Sequence, residues 1–98
     1  MAEPLTIVAR FRAKPGMQDQ VRAALRALLA PTRAESGCIN YDLHESLEDP
    51  RNFVLYENWV TTEQLEAHLK TPHLVQFLAA APSILEGGVE ISRWKQLH

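Results

Sequence analysis

The chain lacks the features of several specialised protein classes. One cysteine, Cys38, stands among 98 residues, so no internal disulfide can form and a reducing, cytoplasmic setting is expected. No apolar run approaches the roughly 18 residues needed to cross a bilayer. The N-terminal stretch MAEPLTIVARF lacks the basic-then-apolar order of a secretory signal. Neither export nor membrane attachment is expected. Ten Lys and Arg stand against twelve Asp and Glu, for a net charge of −2. They form no basic stripe, so the electrostatic footprint of a nucleic-acid binder is missing. Gly87-Gly88 is a turn without the strand–glycine loop–helix context of phosphate binding. No nucleotide or flavin fingerprint occurs, and the chain is too short to hold a cofactor domain. Internal repeats and low-complexity linkers are also missing.

What is present is an ordinary globular composition. A hydrophobic fraction of 46% excludes disorder and fits one domain over residues 1–98. A chain of this length buries about 60–70% of its unfolded surface and folds alone only marginally.

The periodicity changes along the chain in a readable order. PLTIVARFRAKPG alternates, with Leu5, Ile7, Ala9 and Phe11 on one face of a strand that Pro15-Gly16 stops. From Met17 the period becomes helical: Met17, Val21, Leu25, Leu28, Leu29 and Thr32 share a face. Pro31 kinks or ends that helix, and Gly37 closes the segment. CINYDLHESLEDPRNFVLYENWV reads as a hairpin with a longer loop, Glu48 to Asn52. Ile39, Tyr41 and Leu43 form one face of its first strand, with Asn40, Asp42 and His44 opposite. Phe53, Leu55, Glu57 and Trp59 form one face of the second. Thr61 and Gln64 have capping-box spacing, with Val60 placed to pack on Leu65 across the cap. Thr71-Pro72 predicts a second cap with proline at the first helical position. That helix carries Leu74, Phe77, Leu78, Ala81 and Leu85 on one face. Gly87-Gly88 ends it, and VEISRWKQL makes the last strand.

The order β-α-β-β-α-β is ferredoxin-like, an α+β fold with an antiparallel sheet and both helical regions on one face. The other face would expose Val8, Val54, Tyr56 and Val60, so a homodimer packed sheet against sheet is expected. Arg10, Asp42 and His44 on that face would then need mutual pairing within the interface.

Chemistry could come from few places. His68 lies three residues after Leu65, at the edge of the buried helical face, and Trp59 ends the strand face that meets the helices. The two rings are either ordinary packing or the wall and base of a pocket. His73 lies five positions on, past a proline, so it does not share His68's helical face. It either lines the pocket mouth or is exposed. The spacing matches no zinc motif, and no cysteine or carboxylate cluster completes a metal set, so no metal is expected. Cys38 lacks a visible base or positive setting and reads as a buried thiol. Glu57 is either paired with an arginine of a neighbouring strand or a second titrating group in the pocket, and pairing is the simpler reading.

Four phrases in this order, RAESGCINYDLHES, FVLYENW, HLKTPH and GGVEISRW, resemble the antibiotic biosynthesis monooxygenase family, and within it small bacterial quinol monooxygenase-like proteins. The likeness runs from about Leu5 to Leu97. It implies a dimeric α+β barrel of ferredoxin-like subunits, and oxygenation of quinol-like or polycyclic dihydroxy-aromatic substrates by O2 without metal, flavin or other cofactor. The family also holds haem degraders that use an asparagine in the first strand, where this chain has Ala9, so haem degradation is not implied. An isomerase of a phosphorylated signal molecule shares the Phe-x-x-Tyr-Glu and Thr-Pro-His patterns and stays open as an alternative. So does a non-catalytic dimer that binds small aromatics. Trp59 and His68 match pocket-lining positions in the family. His68 is the expected base that makes the oxidisable substrate anion, with Trp59 beside it as the second catalytic residue. Phe53, Glu57, His73 and Phe77 are the expected substrate contacts.

Overall fold

The computed structural model describes residues 4–98, and everything below concerns those residues. Eight elements follow one another: β1 (Leu5–Arg12), α1 (Gln18–Ala27), α2 (Leu29–Arg33), β2 (Cys38–Glu45), β3 (Asn52–Trp59), α3 (Thr62–His68), α4 (Pro72–Ile84) and β4 (Glu90–Trp94). The strands form one antiparallel sheet in the order β2-β3-β1-β4. This is the expected ferredoxin-like α+β architecture.

Alternation decides which face of each strand is covered. In β1 Ile7, Ala9 and Phe11 are buried, and in β3 Phe53, Leu55, Glu57 and Trp59 are. Their register places Tyr41, Glu57, Ile7 and Arg93 in one row across all four strands. Side chains in such a row emerge on the same face of the sheet. Val21, Leu25 and Leu28 from α1 and its end, Thr32 from α2, Leu65 and His68 from α3, and Leu74, Phe77 and Ala81 from α4 are buried with them.

Each helical region is two segments, the second as Thr71-Pro72 predicts. The first breaks at Leu28, because Pro31 has no N–H to donate to the carbonyl of Ala27 four residues earlier. Leu28 instead closes a tighter turn onto Leu25 at 3.1 Å. In the second, the Thr61 cap forms as its spacing predicts: Gln64 N–H donates to Thr61 Oγ1 at 3.1 Å. The Gln64 side chain does not complete the reciprocal box, and its amide donates to Ser36 Oγ at 3.4 Å. Thr71 stands at the cap position of α4 without capping it. Its hydroxyl donates to the His68 carbonyl at 2.7 Å.

One apolar residue leaves its expected face. The β2–β3 register shifts between Cys38 and Asn40, so Ile39 falls in a bulge and is 52% exposed rather than buried beside Tyr41. Leu78 keeps its face of α4 but is half exposed.

The outer face of the sheet is mixed. Val8 and Val54 are half-buried, and Tyr56 and Val60 are exposed. Beside them Asn58 donates to Asn40, and Asn40 donates to Asp42. Asp42 also forms an ion pair with Arg33 of α2, so this carboxylate is partnered within the chain. None of the described helices is long and apolar enough to cross a membrane.

Candidate functional site

Between the β1–β4 side of the sheet and the pair α3–α4 lies a cavity of about 320 Å3. Its floor centres on Ala9, which pairs with Leu55 on one side and Ile91 on the other. A methyl group between two larger neighbours leaves the space open. Phe11 and Phe77 close one end, their rings edge to face with centroids 5.7 Å apart. Leu65, Leu74 and Leu78 contribute to the walls. The polar lining is sparse: Tyr41, Glu57, His68 and Arg93. Arg93 is exposed, at the edge strand of the sheet.

His68 ends α3 and is 2% exposed. Its ring lies 4.7 Å from the Trp59 indole and meets Tyr41 edge-on at 5.5 Å. Its Nδ1 donates to Glu35 Oε2 at 2.7 Å, because a carboxylate offers only acceptors. Nε2 makes no hydrogen bond with any described residue. Burial lowers the His68 pKa, opposed by the Glu35 carboxylate. Neutral imidazole with a bare nitrogen is therefore the state the site favours.

Glu57 behaves in the opposite sense. Burial, opposed by the indole N–H of Trp59 donating at 2.9 Å, pushes its carboxyl up to about 7. This indole, and not an arginine of a neighbouring strand, is its partner. Arg93 occupies the same row but lies beyond Ile7. Burial also drives the Tyr41 phenol far above its usual range. Cys38 is half-buried rather than buried, and its thiol is raised by burial first and then by Glu35 and Glu57, which keeps it protonated.

The six residues singled out from the sequence fall into two groups. His68, Glu57 and Phe77 border the cavity. Trp59 does not: it is fully buried behind two cavity residues, stacked on His68 and bonded to Glu57. Phe53 shares the inner face but lies at the far end of β3, under α1, where the Arg22 guanidinium sits 5.8 Å from its ring centroid. His73, in the first turn of α4, faces away from the cavity and donates through Nε2 to Glu35 Oε2 at 2.7 Å.

Glu35 is the residue that periodicity could not find. It lies in the short loop between α2 and β2, where no repeat reports direction. That loop is pinned at Gly37, whose φ of +87° favours glycine and where a Cβ would overlap the Gln64 side chain. Val60 N–H donates to the Gly37 carbonyl at 2.9 Å. The loop is thereby held against α3, and Glu35 meets two histidines that lie 33 and 38 positions later. The only advance signal was the glycine that ends the segment.

Comparison with known proteins bears on the family and the fold. The family model described as "Antibiotic biosynthesis monooxygenase" matches residues 4–80. The chain is 36% identical over 92 residues to "Putative monooxygenase Rv0793" of Mycobacterium tuberculosis, covering 94% of this chain and 90% of that protein. It is 33% identical to "Probable quinol monooxygenase YgiN" of Escherichia coli, covering 89% and 94%. Among solved structures, PA3566 from Pseudomonas aeruginosa superposes with a TM-score of 0.95 at 38% identity, covering 100% of this chain and 98% of that one. The chain belongs to the antibiotic biosynthesis monooxygenase family.

Proposed function

We propose that this protein is a cofactor-independent monooxygenase of quinol-like or polycyclic dihydroxy-aromatic compounds. The observation that carries the reading is one apolar cavity of about 320 Å3 that brings a neutral, buried histidine and a protonatable carboxyl together. A flat aromatic ring fits a space walled by Phe11, Phe77 and leucines, where water is scarce. The names of the mycobacterial and E. coli relatives support the reaction class.

The chemistry follows from proton placement. His68 takes a phenolic proton on Nε2, and the resulting imidazolium is held by the Glu35 carboxylate at Nδ1. The phenolate is far more easily oxidised than the phenol and passes electrons to O2. One oxygen atom enters the ring in place of hydrogen, the other leaves as water, and the ring departs as a hydroxyquinone. Substrate supplies every electron. Glu57 faces the second hydroxyl as a hydrogen-bonding partner. Trp59 acts through others, holding the Glu57 carboxyl and the plane of the His68 ring.

Oxygen uptake by purified protein against a hydroquinone panel in metal-free buffer tests this reading. The expected result is protein-dependent uptake that falls about 100-fold or more in His68→Ala. No uptake with any quinol, or uptake unaffected by that substitution, overturns it.

One observation favours the isomerase alternative. Arg93 borders the cavity and could hold a phosphorylated substrate. Proton exchange in a phosphorylated ketose, followed by NMR, would select that reaction.

We also propose that two copies pair through the outer sheet face. Its exposed Tyr56 and Val60, flanked by Val8 and Val54, support that contact. Sedimentation equilibrium, with Tyr56→Glu as the disrupting variant, measures it.

A further inference from the structure

We propose that Glu35, His68 and His73 form a binding site for a borderline divalent cation of the zinc, cobalt or nickel type. Their donor atoms, one carboxylate oxygen and two imidazole nitrogens, lie within 4.8 Å of one another. They come from three separate places: the loop after α2, the end of α3 and the first turn of α4. Each nitrogen is 2.7 Å from the same oxygen, Glu35 Oε2. A tetrahedral zinc about 2.0–2.1 Å from each donor needs donor separations of about 3.3 Å. Each O···N gap therefore has to widen by about 0.6 Å, and the two nitrogens, within 4.8 Å of each other, have to settle at about 3.3 Å, which side-chain rotations can supply.

The donor chemistry selects the ion. Two imidazoles and one carboxylate match the three-ligand sets that hold zinc with a fourth position open to water. Magnesium and calcium prefer all-oxygen surroundings, so they do not suit this set. The site is sheltered but reachable: the side chains of Glu35, His68 and His73 are 14%, 3% and 22% exposed. It is also braced from outside. The Thr71 hydroxyl donates to the His68 carbonyl, and Trp59 and Tyr41 pack on the His68 ring.

The site lies behind His68 as seen from the cavity, since neither Glu35 nor His73 borders that space. A cation there would not touch substrate. It would take His68 Nδ1 and move the ring proton to Nε2, which then becomes a donor. If the proposed oxygenation holds, the loaded site and the proton-accepting Nε2 exclude each other, and the cation is an inhibitor.

Titration of untagged protein with Co2+, followed by visible absorption, and with Zn2+ by calorimetry, tests the site without any substrate. The expected result is one saturable equivalent, retained when the exposed His44 and His98 are both changed to alanine. Glu35→Gln and His73→Ala should each weaken binding by at least about tenfold, with circular dichroism confirming that they fold. Should a variant fail to fold, nitrogen NMR of the wild-type imidazoles replaces it, with zinc expected to shift His68 Nδ1 and His73 Nε2. Absence of saturable binding, affinity unchanged in the folded variants, or zinc shifts confined to His44 and His98 overturns the proposal.

Discussion

The inner face of the sheet has two halves built by the same alternation and finished differently. Under α1 and α2, Val21, Leu25 and Thr32 are completely buried against the β2–β3 side, where Phe53 is 1% exposed. Under α3 and α4, Leu74 and Phe77 keep slight exposure and border a cavity. The first half holds the fold together, and the second gives up packing for space. A small domain has little stability to spare, so the hollow half must rest on the solid one. That division lets a 98-residue chain hold both a core and a pocket.

Five changes test that contrast, in decreasing order of expected effect. Leu25→Ala in the solid half should cost about 4 kcal/mol, because close-packed neighbours cannot collapse into the gap. Leu74→Ala, beside existing space, should cost clearly less. Urea denaturation of the pair measures the difference, and equal losses would erase the distinction between the halves.

Glu57 makes the hollow half sensitive to pH. Its folded pKa of about 7 is raised above the unfolded value of 4.5. Below the unfolded value its contribution is fully present. As pH rises, the unfolded chain ionises first, so stability falls until the folded carboxyl has also titrated. The loss should total about 3 kcal/mol between about pH 4 and about pH 8. Glu57→Gln, which keeps an acceptor for the Trp59 indole, should flatten that dependence in denaturation curves.

Gly37→Ala should cost about 2 kcal/mol, from its left-handed backbone and its overlap with Gln64. It should also loosen Glu35 from His68, seen as a change in the His68 imidazole resonances. Ala9→Leu should change stability by less than about 1 kcal/mol, because the added atoms enter open space. The same change should abolish binding of an aromatic ligand, measured by calorimetry. A large destabilisation would mean that the hollow is smaller than about 320 Å3.

The elements of the fold were legible because they are written in periods. Ile7, Ala9 and Phe11 alternate, Val21 and Leu25 recur at helical spacing, and Thr61 announces a cap. The inward turn of His68 and the face shared by Glu57 and Trp59 follow from the same periods. Failures came where a local rule met a longer-range contact. Ile39 escaped its face through a bulge. Thr71 was drawn from capping to the His68 carbonyl. Phe53 and Trp59 belong to the correct face but not to the cavity, because a face says nothing about which helix stands above each of its rows.

The amino-acid sequence alone fixed the order of the strands and helices, the buried face of each and the family, since these depend on neighbours a few positions apart. Only the tertiary structure decided where that buried face stays open, and that Glu35 joins His68 to His73. Both depend on distances between residues far apart along the chain, and no local periodicity carries that information.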